Sequence, residues 1–251
     1  MIELERVSKR FGEFSAVDDL TLRVEPGEIF GFLGPNGAGK TTTIRMMMGL
    51  LLPSAGRIRL GGFDLATEPL PAKRISGFVP DRPFLYEKLT ATELLRFCAD
   101  LYEVEPALAE RRASELLELF DLADWAGELI ESFSHGMKQR LAFAAALLHE
   151  PRLLIVDEPM VGMDPRGARL LRSLLRSLAD RGATLFLSTH SLEVAEALCD
   201  RIGIIQGGRL IAEGTLEELR TRAGDARGLE EIFLKLTGAD DLLEVIQALR
   251  A

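Results

Sequence analysis

The sequence predicts a mixed α/β fold: a core sheet, an antiparallel β subdomain at the N-terminus and an inserted helical lobe. Three observations carry this. Short β-type runs alternate with helical patterns over most of the chain, residues 82–150 contain no convincing strand, and a glycine-rich loop stands between an apolar strand and a helix.

Residues 2–7, 20–24 and 29–33 read as strands, and the last runs through the glycine-rich turn into a helix over 40–50. Further strands are expected at 57–60, 77–80, 153–157, 183–188, 202–206 and 209–213. The run 153–156 is continuously apolar, as a strand buried on both faces must be. Within the lobe, 90–102 and 106–122 have helical periodicity, the second opening on Pro106. Met137, Leu141, Ala145 and Leu148 form one face of a third helix. Leu171, Leu174, Leu175 and Leu178 repeat that pattern between two strands, as a βαβ crossover requires. Arg166, Arg169, Arg172 and Arg176 lie mostly opposite and read as a solvated face. Past Gly214, the stripe Leu229, Ile232, Phe233, Leu236 and the stripe Leu242, Ile246, Leu249 predict two small helices docked on the main body, with 224–228 as linker. The domain reading is one unit over 1–222, carrying the lobe at about 82–150, and a small helical extension over 223–251.

Composition narrows the function. With 47% hydrophobic and 27% charged residues, the 251-residue chain is an ordinary globular sequence, not a disordered one. Its 30 basic against 39 acidic residues give a net charge of −9, which argues against a duplex-binding protein and leaves no nucleic-acid partner expected. Two cysteines, Cys98 and Cys199, do not make a disulfide framework and point to a reducing cytosol. The first residues carry no apolar signal core, and the longest unbroken apolar run, 141–148, is far short of the roughly 20 residues that span a bilayer.

Gly34, Pro35, Asn36, Gly37, Ala38, Gly39, Lys40 and Thr41 satisfy G-x-x-x-x-G-K-[ST] between a strand and a helix. Glycines let the backbone curl so that successive N–H groups face phosphate oxygens, and the helix N-terminus adds partial positive charge. Lys40 is expected to reach the β- and γ-phosphates of a nucleotide and Thr41 to ligate Mg²⁺. A second apolar strand ends in Asp157-Glu158. A carboxylate at the C-terminal edge of a parallel sheet is placed to hold Mg²⁺, and Glu158 beside it to polarise a water for attack on the γ-phosphate. His190 follows the strand at 183–188 and stands at the same edge, where an imidazole reaches a phosphate oxygen. His149 has no such context and reads as a capping or surface residue.

These motifs, in this order, resemble the ATP-binding-cassette ATPases, the nucleotide-binding subunits of ABC transporters. The resemblance runs from about residue 1 to 214, and more loosely through 229–238. It implies a P-loop NTPase core of RecA type, ATP and Mg²⁺ as ligands, and ATP hydrolysis coupled to transport. Phe11 then matches the aromatic that stacks on adenine, with Val17 counted among the nucleotide contacts, and 34–42, ending at Thr42, match the phosphate loop. Asp157 matches the Mg²⁺-associated carboxylate, Glu158 the catalytic base, His190 the γ-phosphate histidine, and Asp164 the loop that meets a partner subunit. Ser134-His135-Gly136-Met137 occupies the place of the signature LSGGQ, which binds ATP held by the opposite subunit, so Ser134 and Gly136 are assigned to nucleotide in trans. Phe133, His135 and Met137 depart from that signature. Asp81 stands where the family has Gln, touching Mg²⁺ and sensing the membrane partner; a solvated turn residue is the other reading.

The resemblance further implies a head-to-tail dimer of two copies and an integral membrane permease as partner, docked near Asp81, Phe84, Leu85 and Tyr86. Those last three residues read equally as lobe core. The chain would sit in the cytoplasm, peripheral on the membrane's cytoplasmic face. Its motif runs look most like exporter-type cassettes with separate membrane subunits. A soluble non-transport ATPase of the family, or a regulatory ATP-binding protein, stays open as the alternative.

Overall fold

The computed structural model describes residues 1–160, 163–224 and 228–238. Its elements run β1 (Ile2–Phe11), β2 (Phe14–Val24), β3 (Ile29–Leu33), α1 (Lys40–Met47), β4 (Ala55–Leu60), β5 (Phe63–Asp64), α2 (Pro69–Arg74) and β6 (Ser76–Val79). The lobe follows with α3 (Ala91–Leu101), α4 (Pro106–Leu119) and α5 (His135–Leu147). The chain then returns to the sheet with β7 (Leu153–Asp157), α6 (Pro165–Asp180), β8 (Thr184–Thr189), α7 (Leu192–Leu198), β9 (Arg201–Gln206) and β10 (Arg209–Gly214), and closes on α8 (Leu216–Arg222) and α9 (Leu229–Thr237).

Two sheets result. One is antiparallel in the order β2-β1-β4-β5, and the other runs β10-β9-β3-β8-β7-β6. In the second, β6, β7, β8, β3 and β9 are parallel, so their carboxyl ends share one edge. Period-2 alternation sorts the side chains of these strands. Phe30, Phe32, Leu153, Ile155 and Phe186 face the antiparallel sheet and α1, whereas Ile29, Leu154, Val156, Leu185 and Leu187 face the helical lobe and α6. Burial on both faces explains the unbroken apolar run of β7.

The lobe helices start where local chemistry sets them. Thr90 caps α3 in a reciprocal box with Glu93, and Glu105 accepts the N–H groups of Ala107 and Leu108 ahead of Pro106. In α5 the expected single apolar face is too narrow. Ala142, Phe143, Ala144, Ala146 and Leu147 are buried as well, because this helix lies between the lobe and the sheet.

Several other expectations change. The first hairpin is longer than its apolar runs, since register shifts after Leu4 and Val7 interrupt the alternation that marks a strand. Helix α1 stops at Met47, and α2 and β5 were not foreseen. Arg176 is not simply solvated: it bonds Asp200 at 2.9 Å and the Leu198 carbonyl, tying α6 to the end of α7. His149 is not a free surface residue. It stacks on Tyr102 at 3.6 Å, and its Nε2 lies 3.2 Å from the Ser76 carbonyl oxygen. Helix α9 docks on α7, α8 and β10, with Leu229 and Ile232 buried beside Leu33 and Ala195. The stripe Leu242, Ile246, Leu249 and most of the expected linker lie outside the described residues. Both cysteines are free thiols.

Candidate functional site

The carboxyl edge of the parallel sheet brings three strand ends together. β8 lies between β3 and β7, so the loop after β3, the acids at the end of β7 and the histidine after β8 converge. Two glycines let the loop close. A Cβ on Gly34 would stand 2.4 Å from the Ile205 carbonyl oxygen, and Gly39, at φ +110°, would place one 2.5 Å from the Ala16 carbonyl oxygen. The loop is braced from the β9–β10 turn, where the Gly208 N–H donates to the Ala38 carbonyl at 3.0 Å.

A cleft of about 490 Å³ opens there, lined by 36–42, Asp81, Asp157, Glu158 and His190. Lys40 is buried at the start of α1, and its Nζ donates to the Gly34 and Pro35 carbonyls at 2.5 and 3.3 Å. Burial pulls its pKa below the ordinary lysine value, against the opposing pull of Glu158 and Asp157. Thr41 Oγ1 donates to Asp157 Oδ2 at 3.4 Å. Asp157 is buried, and desolvation raises its pKa above the ordinary carboxylate value. A cation supplied beside it would relieve that desolvation.

Glu158 is held most firmly. Its Oε1 lies 2.7 Å from His190 Nδ1, and its Oε2 accepts from Thr189 Oγ1 at 3.1 Å. Its own N–H donates to the Ser188 carbonyl at 2.8 Å. The residue sits at φ +54°, in the left-handed region that costs a non-glycine L-residue on the order of 1 kcal/mol. The carboxylate is thus fixed on two sides, at the edge of the sheet where the cleft opens.

The remaining expected residues divide. Phe14 and Ala16 line the cleft. Phe11 pairs with Phe14 across the first hairpin, half-exposed, with Lys9 Nζ 5.3 Å from its ring centroid. Val17 is fully buried and packs behind Gly39, supporting the loop from beneath. Asp81 opens onto the cleft and onto a second depression of about 750 Å³ that reaches Phe84, Leu85 and the lobe. Phe84 is 92% exposed there, and Tyr86, 63% exposed, meets the lobe edge-on at Phe97, so neither is lobe core; Leu85 packs inward. Ser134, exposed, caps α5 by accepting the Met137 N–H at 3.3 Å, and Gly136 lies in the first turn of that helix. Asp164 caps α6 through the Gly167 N–H at 2.6 Å. These three stand apart from the cleft lined by the same chain's phosphate loop.

Comparison with known proteins shows the family. The sequence profile of the family described as ABC transporter matches residues 17–161. The chain belongs to the ABC transporter family. It is an ATPase of the ATP-binding subunit type. A linearmycin resistance ATP-binding protein of Bacillus subtilis is 41% identical over 241 residues, covering 93% of this chain and 78% of the relative. A solved ATP-binding subunit of an ABC transporter superposes with a TM-score of 0.91 at 37% identity, over 94% of this chain and 99% of that one. A dimeric ATP-binding cassette in a post-hydrolysis state, bound to ADP and Pi, superposes with a TM-score of 0.78 at 26% identity, over 86% and 99%. A soluble or purely regulatory ATP-binding role is not favoured by these relatives. Among the described residues no helix of this ABC subunit is long and apolar enough to cross a membrane.

Sequence reasoning missed three contributors in this ABC ATPase. Thr189, just past the expected strand 183–188 and before His190, was not singled out. Phe14 was passed over for Phe11, although both flank the same turn. Gly208, which braces the phosphate loop, lies far from it in sequence. Only Thr189 carried a usable signal, a hydroxyl at the end of a strand beside a candidate base.

Proposed function

We propose that two copies of this chain clasp ATP head to tail and hydrolyse it to drive export through a separate integral membrane permease. The observation that carries the reading is the grip of His190 and Thr189 on Glu158 in the cleft that also holds Lys40.

In this mechanism Lys40 releases the loop carbonyls and pairs with the β- and γ-phosphates, while N–H groups of 36–42 take further phosphate oxygens. Phe14, with Phe11 behind it, offers the aromatic surface for adenine. Thr41 and Asp157 present a hydroxyl and a carboxylate 3.4 Å apart, hard oxygen donors suited to Mg²⁺. Among the described residues no three His, Cys, Asp or Glu side chains gather into a metal cage, and Mg²⁺ held here would complete its shell with phosphate and water oxygens. Bound Mg²⁺ supplies charge neutralisation of the phosphates. Asp81 faces this position in place of an amide and adds negative charge to it. Glu158 takes the proton of the attacking water as its oxygen bonds to the γ-phosphorus and the bond to the β-phosphate oxygen breaks. His190 keeps Glu158 aimed and contacts the γ-phosphate.

Ser134 and Gly136 present a helix start with a free face, away from their own phosphate loop. A second copy turned by a two-fold axis brings them, with Asp164, onto its partner's nucleotide. The dimeric cassette among the structural neighbours supports pairing of two copies, and the resistance relative supports export. Phe84, exposed near Asp81, and the exposed side of Tyr86 suit the membrane partner, which would hold the chain at the cytoplasmic face.

Complementation tests the shared site. Ser134→Arg and Lys40→Ala chains are each expected to be inactive, whereas their mixture regains about a quarter of wild-type turnover through mixed dimers in which one composite site is intact. A mixture as inactive as each parent, under conditions where subunits exchange, overturns the trans arrangement.

A further inference from the structure

A groove of about 610 Å³ lies between α4 of the lobe and α6 of the core, at the amino-terminal ends of β7 and β8. It is a five-residue strand, roughly 16 Å, from the catalytic edge and shares no residue with the nucleotide cleft. Its floor is apolar: Leu116, Leu174 and Leu178 are only half-covered, and Leu147 closes the bottom. Its rim is cationic. Arg112 is neutralised by Glu150 and also donates to the Leu148 carbonyl, and Glu115 is matched by Arg111 at 3.8 Å. Arg152 and Arg181 have no carboxylate partner among the described residues; Arg181 uses only Nε, on the Ser177 carbonyl. Two guanidinium groups thus remain over an uncovered leucine floor on a chain whose net charge is −9.

The geometry points to a binding site for a single-chain amphiphilic carboxylate, its alkyl tail on the leucine floor and its headgroup between Arg152 and Arg181. Ligand sites are concave, mostly apolar and supplied with a few placed polar groups, and this groove has that composition. A guanidinium fork matches a carboxylate in two parallel hydrogen bonds, which an ammonium would not. A single alkyl chain fits within the groove's volume of about 610 Å³. The walls come from the lobe and from the core, so the ligand spans the seam between them.

Decanoate is the probe. Isothermal titration of the full chain at neutral pH is expected to show saturable one-site binding. Arg152→Gln/Arg181→Gln should weaken it by about tenfold or more, with thermal stability and ATP binding unchanged, since both side chains are exposed. Leu178→Gln should weaken it through the floor, and the neutral 1-decanol and the tail-less acetate should each bind at least about tenfold more weakly. Equal decanoate affinity in wild type and the double variant overturns the site. So does acetate binding as well as decanoate, or no saturable binding below about 1 mM.

Discussion

His190 Nδ1 lies 2.7 Å from Glu158 Oε1, which fastens the residue after β8 to the residue after β7 at the lip of the nucleotide cleft. Because adjacent parallel strands end side by side, two positions far apart in sequence act as one unit.

Glu158→Gln keeps the size and one acceptor oxygen but removes the proton acceptor. ATP affinity is expected to stay within a few-fold of wild type while phosphate release falls by about 10² or more, the range of general-base contributions. Steady-state turnover in a phosphate-release assay checks this, and retained turnover removes Glu158 from its role.

Thr189 touches no phosphate in this account and acts only through Glu158. Thr189→Val should lower kcat by roughly tenfold, the size of one hydrogen bond to a charged group, and leave KM for ATP unchanged. Thr189→Ser should restore most of the rate. A variant that changes KM alone would make Thr189 a substrate contact.

His149 predicts an acid-sensitive contact between lobe and core. Burial pushes its imidazole down to about 4, and Arg112 nearby pushes the same way, whereas the Ser76 carbonyl opposes. Above the unfolded-state value near 6.5, His149 is neutral in both states and costs nothing. As pH falls through the window from 6.5 to 4, the unfolded chain takes a proton that the folded chain refuses, and stability is lost. By pH 5 the loss is roughly 1 kcal/mol after allowing for partial exposure, about 3 °C in Tm. The Tm gap between wild type and His149→Gln, compared at pH 7.5 and pH 5, measures it; a gap independent of pH contradicts it.

Much of this was readable from the chain. The phosphate loop and the acids after β7 are local patterns, in which a few adjacent residues report both the strand and the turn that follows. The unbroken apolar run of β7 gave its burial on two faces directly. What escaped reading is non-local. Arg176 looks like one of four equivalent arginines until folding brings Asp200 beside it. His149 looks like a capping or surface residue until Tyr102 lies against it. Helix α5 reads as one-faced because periodicity reports where apolar residues repeat, not how many neighbours surround a helix. Val17 and Ala16 differ by one position in a strand, which sends one side chain into the core and leaves the other at the cleft.

Sedimentation velocity of Glu158→Gln, with and without ATP and Mg²⁺, tests the claim that nucleotide is shared by two copies. Nucleotide should convert monomers into dimers that retain two ATP per two chains, and Ser134→Arg in the same background should remain monomeric. A Glu158→Gln chain that is saturated with ATP and still sediments as a monomer would contradict the account.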